Sequence, residues 1–115
     1  MRHERLEHQL KKEISNIIHD EVKDPKVGFI TIIRVELSAD LKVLKVFYSI
    51  LGKDSEVAKG MKALEKAKGF IRYSLAHKIK LRTVPELIFK LDRSSEYSIY
   101  IQEELNKLKS KEDKI

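Results

Sequence analysis

Along residues 3–23, apolar side chains recur at helical spacing (Leu6, Leu10, Ile14, Ile17, Ile18 and Val22) with charged residues between them. This spacing predicts one long amphipathic helix, stopped by Asp24-Pro25. Residues 28–38 then change period. They are rich in β-branched side chains and predict a strand with Phe29, Thr31, Ile33, Val35 and Leu37 on one face and Ile30, Ile32, Arg34 and Glu36 on the other. Residues 42–51 repeat the alternation, setting Leu44, Val46, Tyr48 and Ile50 against Val43, Lys45, Phe47 and Ser49. The link Ser38-Ala39-Asp40-Leu41 is short enough only for a hairpin, so the two strands should be antiparallel.

The helical period returns after Gly52-Lys53, with Asp54 or Ser55 as N-cap and Val57, Met61 and Leu64 as the inward stripe. A third helix is expected from about Phe70 to Leu81, with Ile71, Leu75 and Ile79 facing inward, and a break at Ala67-Lys68-Gly69 between the two helices. Gly60, six residues into the second helix, either serves close packing or merely weakens the helix. Pro85 ends the helical run, and residues 86–92 alternate Leu87, Phe89 and Leu91 with Ile88 and Lys90 as a third strand. A helical connection between strands favours a parallel crossover. Ser94 or Ser95 can cap a last helix carrying Tyr97, Ile101, Leu105 and Leu108, followed by a short polar tail over residues 109–115. The expected order is α-β-β-α-α-β-α, an α+β fold with a three-stranded sheet and helices packed on one side, forming one domain over residues 1–108.

Charge adds a location to this outline. The chain of 115 residues carries a formal net charge of +6. Residues 53–82 contain nine basic residues (Lys53, Lys59, Lys62, Lys66, Lys68, Arg72, Lys78, Lys80 and Arg82) against Asp54, Glu56 and Glu65. That window accounts for the whole excess, so the positive field belongs to the helical connection and points to a polyanionic partner. Lys59, Lys62 and Lys66 form one stripe away from the apolar residues; a solvated face is the ordinary explanation of such lysines, but the only nearby acid in the following turn is Glu65, so the stripe lacks alternating signs. On the third helix Arg72, Tyr73, His77 and Lys80 combine cations with rings able to stack on bases, although Tyr73 could equally cover the core edge and His77 be an ordinary surface histidine.

Catalytic patterns are absent from the sequence: it has no Gly-rich phosphate loop, no GxSxG and no HExxH. With 0 cysteines, thiolate chemistry and disulfides are excluded, which fits a reducing, cytoplasmic setting. His3, His8 and His19 lie among carboxylates on the first helix, where Glu4 and His8 read as a surface pair before they read as half a metal site. The N-terminal residues lack an apolar signal core, and no run approaches the ~20 apolar residues of a membrane span. No enzyme, no cofactor and no membrane partner are expected.

Two segments carry a family resemblance: DPKVGFITIIRVELSADLKVLKVFYSI after the first helix, and KALEKAKGFIRYSLAHKIKLRTVPELIFKLD, in which AKGFIR precedes LRTVPEL at a fixed distance. Over about residues 1–108 the chain resembles bacterial ribosome-binding factor A. The resemblance implies a type II KH-like fold whose GxxG loop is replaced by an AxG kink, here Ala67-Lys68-Gly69. It further implies a non-enzymatic assembly factor that binds the small (30S) ribosomal subunit and its 16S ribosomal RNA late in maturation, assists processing of the RNA 5′ end and supports growth in the cold, with a maturation GTPase as releasing partner. A monomer is expected. The candidate RNA-contacting residues are Lys59, Lys62, Lys66, Lys68, Arg72, Tyr73, Lys78, Lys80 and Arg82. The alternative is a general RNA-binding or RNA-chaperone module without ribosome specificity, and after it a protein-interaction domain.

Overall fold

A computed structural model describes residues 2–93. Helix α1 (Arg2–Asp20) leads through a short 3-10 helix (Pro25–Phe29) to strands β1 (Ile30–Leu37) and β2 (Val43–Ile50), then to helix α2 (Asp54–Lys78) and strand β3 (Glu86–Leu91). The sheet order is β1-β2-β3, with β1 antiparallel to β2 and β2 parallel to β3. This is the α+β architecture with a three-stranded sheet that the residue pattern implies. The last expected helix and the polar tail lie outside the described residues.

The core forms where α1 and α2 cover one face of the sheet. Leu10, Ile14, Ile17 and Ile18 of α1 are fully buried, with Leu44, Val46, Leu64, Ile71, Leu75 and Leu87. The outer half of α1 also closes the edge of the sheet. The Glu7 carboxylate accepts the Leu37 N–H at 2.9 Å, and the His3 ring bonds the Leu37 carbonyl at 2.5 Å. Both backbone groups at the end of an edge strand are thus satisfied by side chains instead of being left as a template for another strand. His3 has a structural task here, and no group of three or more metal-ligating side chains occurs among the described residues.

The expected face assignment of β1 holds only for its second half. Ile30 and Ile32 are buried in the first half, Val35 and Leu37 in the second. The register explains the switch: Ile32 pairs with Tyr48 but Arg34 pairs with Phe47, so Ile33 is an extra residue, a β-bulge. One inserted residue turns every following side chain to the opposite face, which lets β1 bury both pairs. Strict alternation from Phe29 onward would bury Thr31, which is exposed.

The second correction concerns the helical connection. Residues 54–78 are one uninterrupted α-helix, so the break at Ala67-Lys68-Gly69 and the separate helix from Phe70 are not present. The inward stripe is continuous once small residues are counted. Val57, Leu64 and Ile71 repeat every seven positions, and Gly60, Ala67 and Ser74 fill the alternate positions; all are buried except the half-buried Ala67. Met61, expected to face inward, is 38 % exposed. Gly60 is the close-packing position: a Cβ there would stand 2.8 Å from Ile50 Cδ1. Helix α2 also begins at Asp54, with Lys53 in the cap position and no side-chain cap bond.

Truncating Ile14 to alanine, at the centre of the α1 contact, should destabilise the protein by about 2–5 kcal/mol. Chemical denaturation would measure this, and a loss below about 1 kcal/mol would mean that α1 is not seated on the sheet as described.

Candidate nucleic-acid interface

Seating the small-residue stripe inward leaves the opposite face of α2 in solvent. Lys59, Lys62, Lys66, Gly69, Tyr73 and Ala76 follow one another at intervals of three or four residues, and all are exposed. Lys59, Lys62 and Lys66 take part in no ion pair or hydrogen bond among the described residues. Three ammonium groups on adjoining turns of a rigid helix form a row suited to successive phosphates. Gly69 continues the row with no side chain, and a Cβ there would meet nothing within 4 Å. The glycine therefore leaves an open step between Lys66 and the ring of Tyr73, which is 65 % exposed.

The remaining expected contact residues divide between the outer face and internal tasks. Lys68 pairs with Glu65 at 3.0 Å and lies 5.7 Å from the ring centroid of Phe89, on the flank nearest β3. Arg72 Nη2 donates to the Val84 carbonyl at 2.9 Å, tying α2 to the segment that enters β3. Lys78 lies 3.3 Å from Glu21 and reaches across to the end of α1. Lys80 and Arg82 are exposed beyond the helix end, in the turn toward β3. His77 bonds the Tyr73 carbonyl at 2.8 Å and its ring lies 4.5 Å from that of Tyr73, so the two rings form one surface unit. Sequence reasoning missed the internal tasks of Arg72 and Lys78, because their partners are a backbone carbonyl and a carboxylate distant in sequence; the Lys68 partner Glu65 is only three residues away.

Glu21 is the polar joint between the helices. Its carboxylate accepts the Ser74 hydroxyl at 2.8 Å and pairs with Lys78. The Ser74 bond, helped by Lys78 and opposed by partial burial, holds the Glu21 carboxyl below its ordinary range. Sequence pattern gave no sign of this joint, since a serine at a core position signals nothing about its distant acceptor.

An unneutralised lysine row along one helix of an α+β domain is the kind of surface that basic nucleic-acid-binding modules present. Comparison with known proteins gives the family. The profile of ribosome-binding factor A matches residues 2–105. Among curated relatives, ribosome-binding factor A of Natranaerobius thermophilus is 48% identical over 113 residues, covering 98% of this chain and 86% of that one. The Staphylococcus carnosus protein of the same name is 47% identical and covers 97% of both. The crystal structure of ribosome-binding factor A from Thermus thermophilus superposes with a TM-score of 0.70 at 28% identity, over 80% of this chain and 98% of that chain. A homology model of the Thermus thermophilus factor, fitted into an electron cryo-microscopy map of a 30S complex with that factor, gives a TM-score of 0.66 at 30% identity, over 78% of this chain and 94% of that chain. This chain belongs to the ribosome-binding factor A family.

Two stability measurements follow from the geometry. Gly69→Ala should raise stability by about 0.5–1 kcal/mol, because α2 is continuous there and the methyl group meets open space; a lowered melting temperature would show that the glycine is required for a bend. Glu21→Gln removes a carboxylate whose folded pKa is depressed. Its contribution is complete above the unfolded carboxyl value of about 4.3 and fades as pH falls through the lower folded value. The melting difference between wild type and variant should therefore be largest near neutral pH and shrink as pH falls through the lowered folded value, whereas a constant difference would exclude the Glu21 charge as its source.

Proposed function

We propose that this protein is a small-subunit maturation factor: it binds the 30S ribosomal subunit and its 16S ribosomal RNA through the outer face of α2, late in assembly, and assists processing of the RNA 5′ end without catalysing a reaction. The observation that carries this reading is the unpaired row Lys59, Lys62 and Lys66 on a fold shared with a Thermus thermophilus factor described in a 30S complex. Lys80, Arg82 and Tyr73 extend the same basic surface, and Lys68, Arg72 and Lys78 contribute field at its edges while holding α2 in place. The single domain over residues 1–108 acts as a monomer in the cytoplasm, and a maturation GTPase is its releasing partner. The activity supports growth in the cold.

Phosphate contact supplies the affinity and the shape of the folded RNA supplies the selectivity. A short single strand offers few phosphates to a straight helix, so oligonucleotide binding should be weak and indifferent to sequence, while the assembled subunit presents many phosphates in fixed positions. Replacing Lys59, Lys62 and Lys66 together with glutamine should change stability by no more than about 0.5 kcal/mol. Affinity for purified small subunits should fall, and the slope of log affinity against log salt should flatten by about 0.7–0.9 for each phosphate that the variant no longer neutralises. An unchanged slope would mean the row is only solvated surface. Equal affinity for subunits and for unrelated structured RNA would favour the general RNA chaperone. In cells lacking the protein, 5′-extended precursor of the small-subunit RNA should accumulate in the cold, and normal processing would contradict the maturation role.

A further inference from the structure

Beside the first turns of α2 lies a cleft that the lysine row touches only through Lys59. Pro25, Phe29, Ile50 and Leu51 supply its apolar lining, and Lys26, Glu56 and Lys59 complete it. Its volume of about 230 Å3 is below the roughly 300–1,000 Å3 of small-molecule sites, a size for one planar group and not for a cofactor. Phe29 is 59 % exposed and Leu51 65 % exposed, whereas the adjoining Val27, Ile30 and Ile50 are at most 2 % exposed.

The exposure of Phe29 is imposed by rigid backbone. The residue ends the 3-10 helix, where the Ile30 N–H closes on the Val27 carbonyl, and the Phe29 carbonyl accepts the Leu51 N–H at 3.2 Å. The ring is thus presented on a backbone fixed from both sides, and little further ordering is needed when a partner arrives. The charges around it are chiefly positive. Lys26 and Lys59 form no ion pair among the described residues. Glu56 lies in the first turn of α2 with its carboxylate turned over Gly52, near the helix's free N–H groups, which favour a negative charge.

We infer that this cleft takes one unstacked base of the bound RNA, stacked on Phe29 against Leu51, with its flanking phosphates on Lys26 and Lys59. The inference rests on the RNA-binding reading of α2 and deepens it. An exposed aromatic ring sharing a cleft with two unpaired lysines matches a base and its backbone, because every base offers a flat face and a phosphate on either side. Lys59 belongs to both the cleft and the row, so an RNA strand lying along Lys66, Lys62 and Lys59 reaches the cleft without leaving the surface. An acidic peptide would satisfy the charges too, but it does not carry a negative charge on each side of a stacking ring as a nucleotide chain does.

Four proteins separate these cases in binding to purified small subunits: wild type, Phe29→Leu, Phe29→Trp and the Lys59, Lys62, Lys66 triple glutamine variant. Phe29→Leu keeps an apolar side chain at an exposed site and should leave melting nearly unchanged, yet lower affinity about 5- to 100-fold with an unaltered salt slope. Phe29→Trp should bind at least as well as wild type. The chain has 0 tryptophans, so the emission of Phe29→Trp, taken against the wild-type titration, reports position 29 alone and should be quenched as the subunit binds. Wild-type affinity in Phe29→Leu, or unquenched tryptophan emission at saturation, overturns the inference; the first outcome would fit a peptide side chain in the cleft. If the triple variant is weakened while Phe29→Leu is not, the RNA-binding reading stands and only the cleft assignment falls. If neither is weakened, both fall.

Discussion

The close seating of α2 on the sheet determines the rest of the surface. Gly60 brings the helix so near β2 that a Cβ would stand 2.8 Å from Ile50 Cδ1, and Val57, Leu64, Ile71 and Leu75 are buried along the same line. Interiors are packed densely enough that such a contact admits little rotation of the helix about its axis. Once that rotation is set, the positions half a turn away are set as well, and in this chain they are Lys59, Lys62, Lys66 and Tyr73. The basic row is therefore a consequence of core packing. A larger residue at position 60 would tilt or turn the helix and carry the row with it.

Polar contacts around this seat hold the C-terminal half of α2. Ser74 and Lys78 meet Glu21 just past the end of α1, Arg72 meets the Val84 carbonyl ahead of β3, and Lys68 pairs with Glu65 beside Phe89. These cations add to the same field as the free lysines, but their geometry is committed inside the molecule. Surface ion pairs of this kind contribute little each, so their value lies in fixing orientation more than in stability. The free and the committed cations come from one basic window of sequence, and only the fold separates them.

Much of the architecture could be read from residue pattern. The α1 stripe, the hairpin, the alternation of β2 and the parallel placement of β3 all follow from hydrophobic period and link length, and each is present. Two features escaped for definite reasons. The only mark of the bulge at Ile33 is the odd spacing of Thr31 from Arg34, which is easily passed over in a run where Ile30, Ile32, Ile33 and Val35 are all apolar. The unity of α2 was hidden because Gly60, Ala67 and Ser74, which carry half its inward stripe, do not register as hydrophobic, and because Gly69 resembles a helix break. The outer lysines were legible since lysine at i, i+3 and i+7 needs no tertiary knowledge. Phe29 was not, because an aromatic residue in a strand-like run is ordinarily taken for core.

The central claim is that the outer face of α2 lies against ribosomal RNA while the opposite face of the sheet remains free. Lysine acetylation of the protein alone and bound to purified small subunits, read residue by residue by mass spectrometry, tests it most directly. Lys45 and Lys90 are exposed on the sheet face away from the helices and serve as internal references. The account predicts strong protection of Lys59, Lys62 and Lys66 in the complex with Lys45 and Lys90 as reactive as in the free protein. Protection of Lys45 and Lys90 with an unprotected row would contradict it.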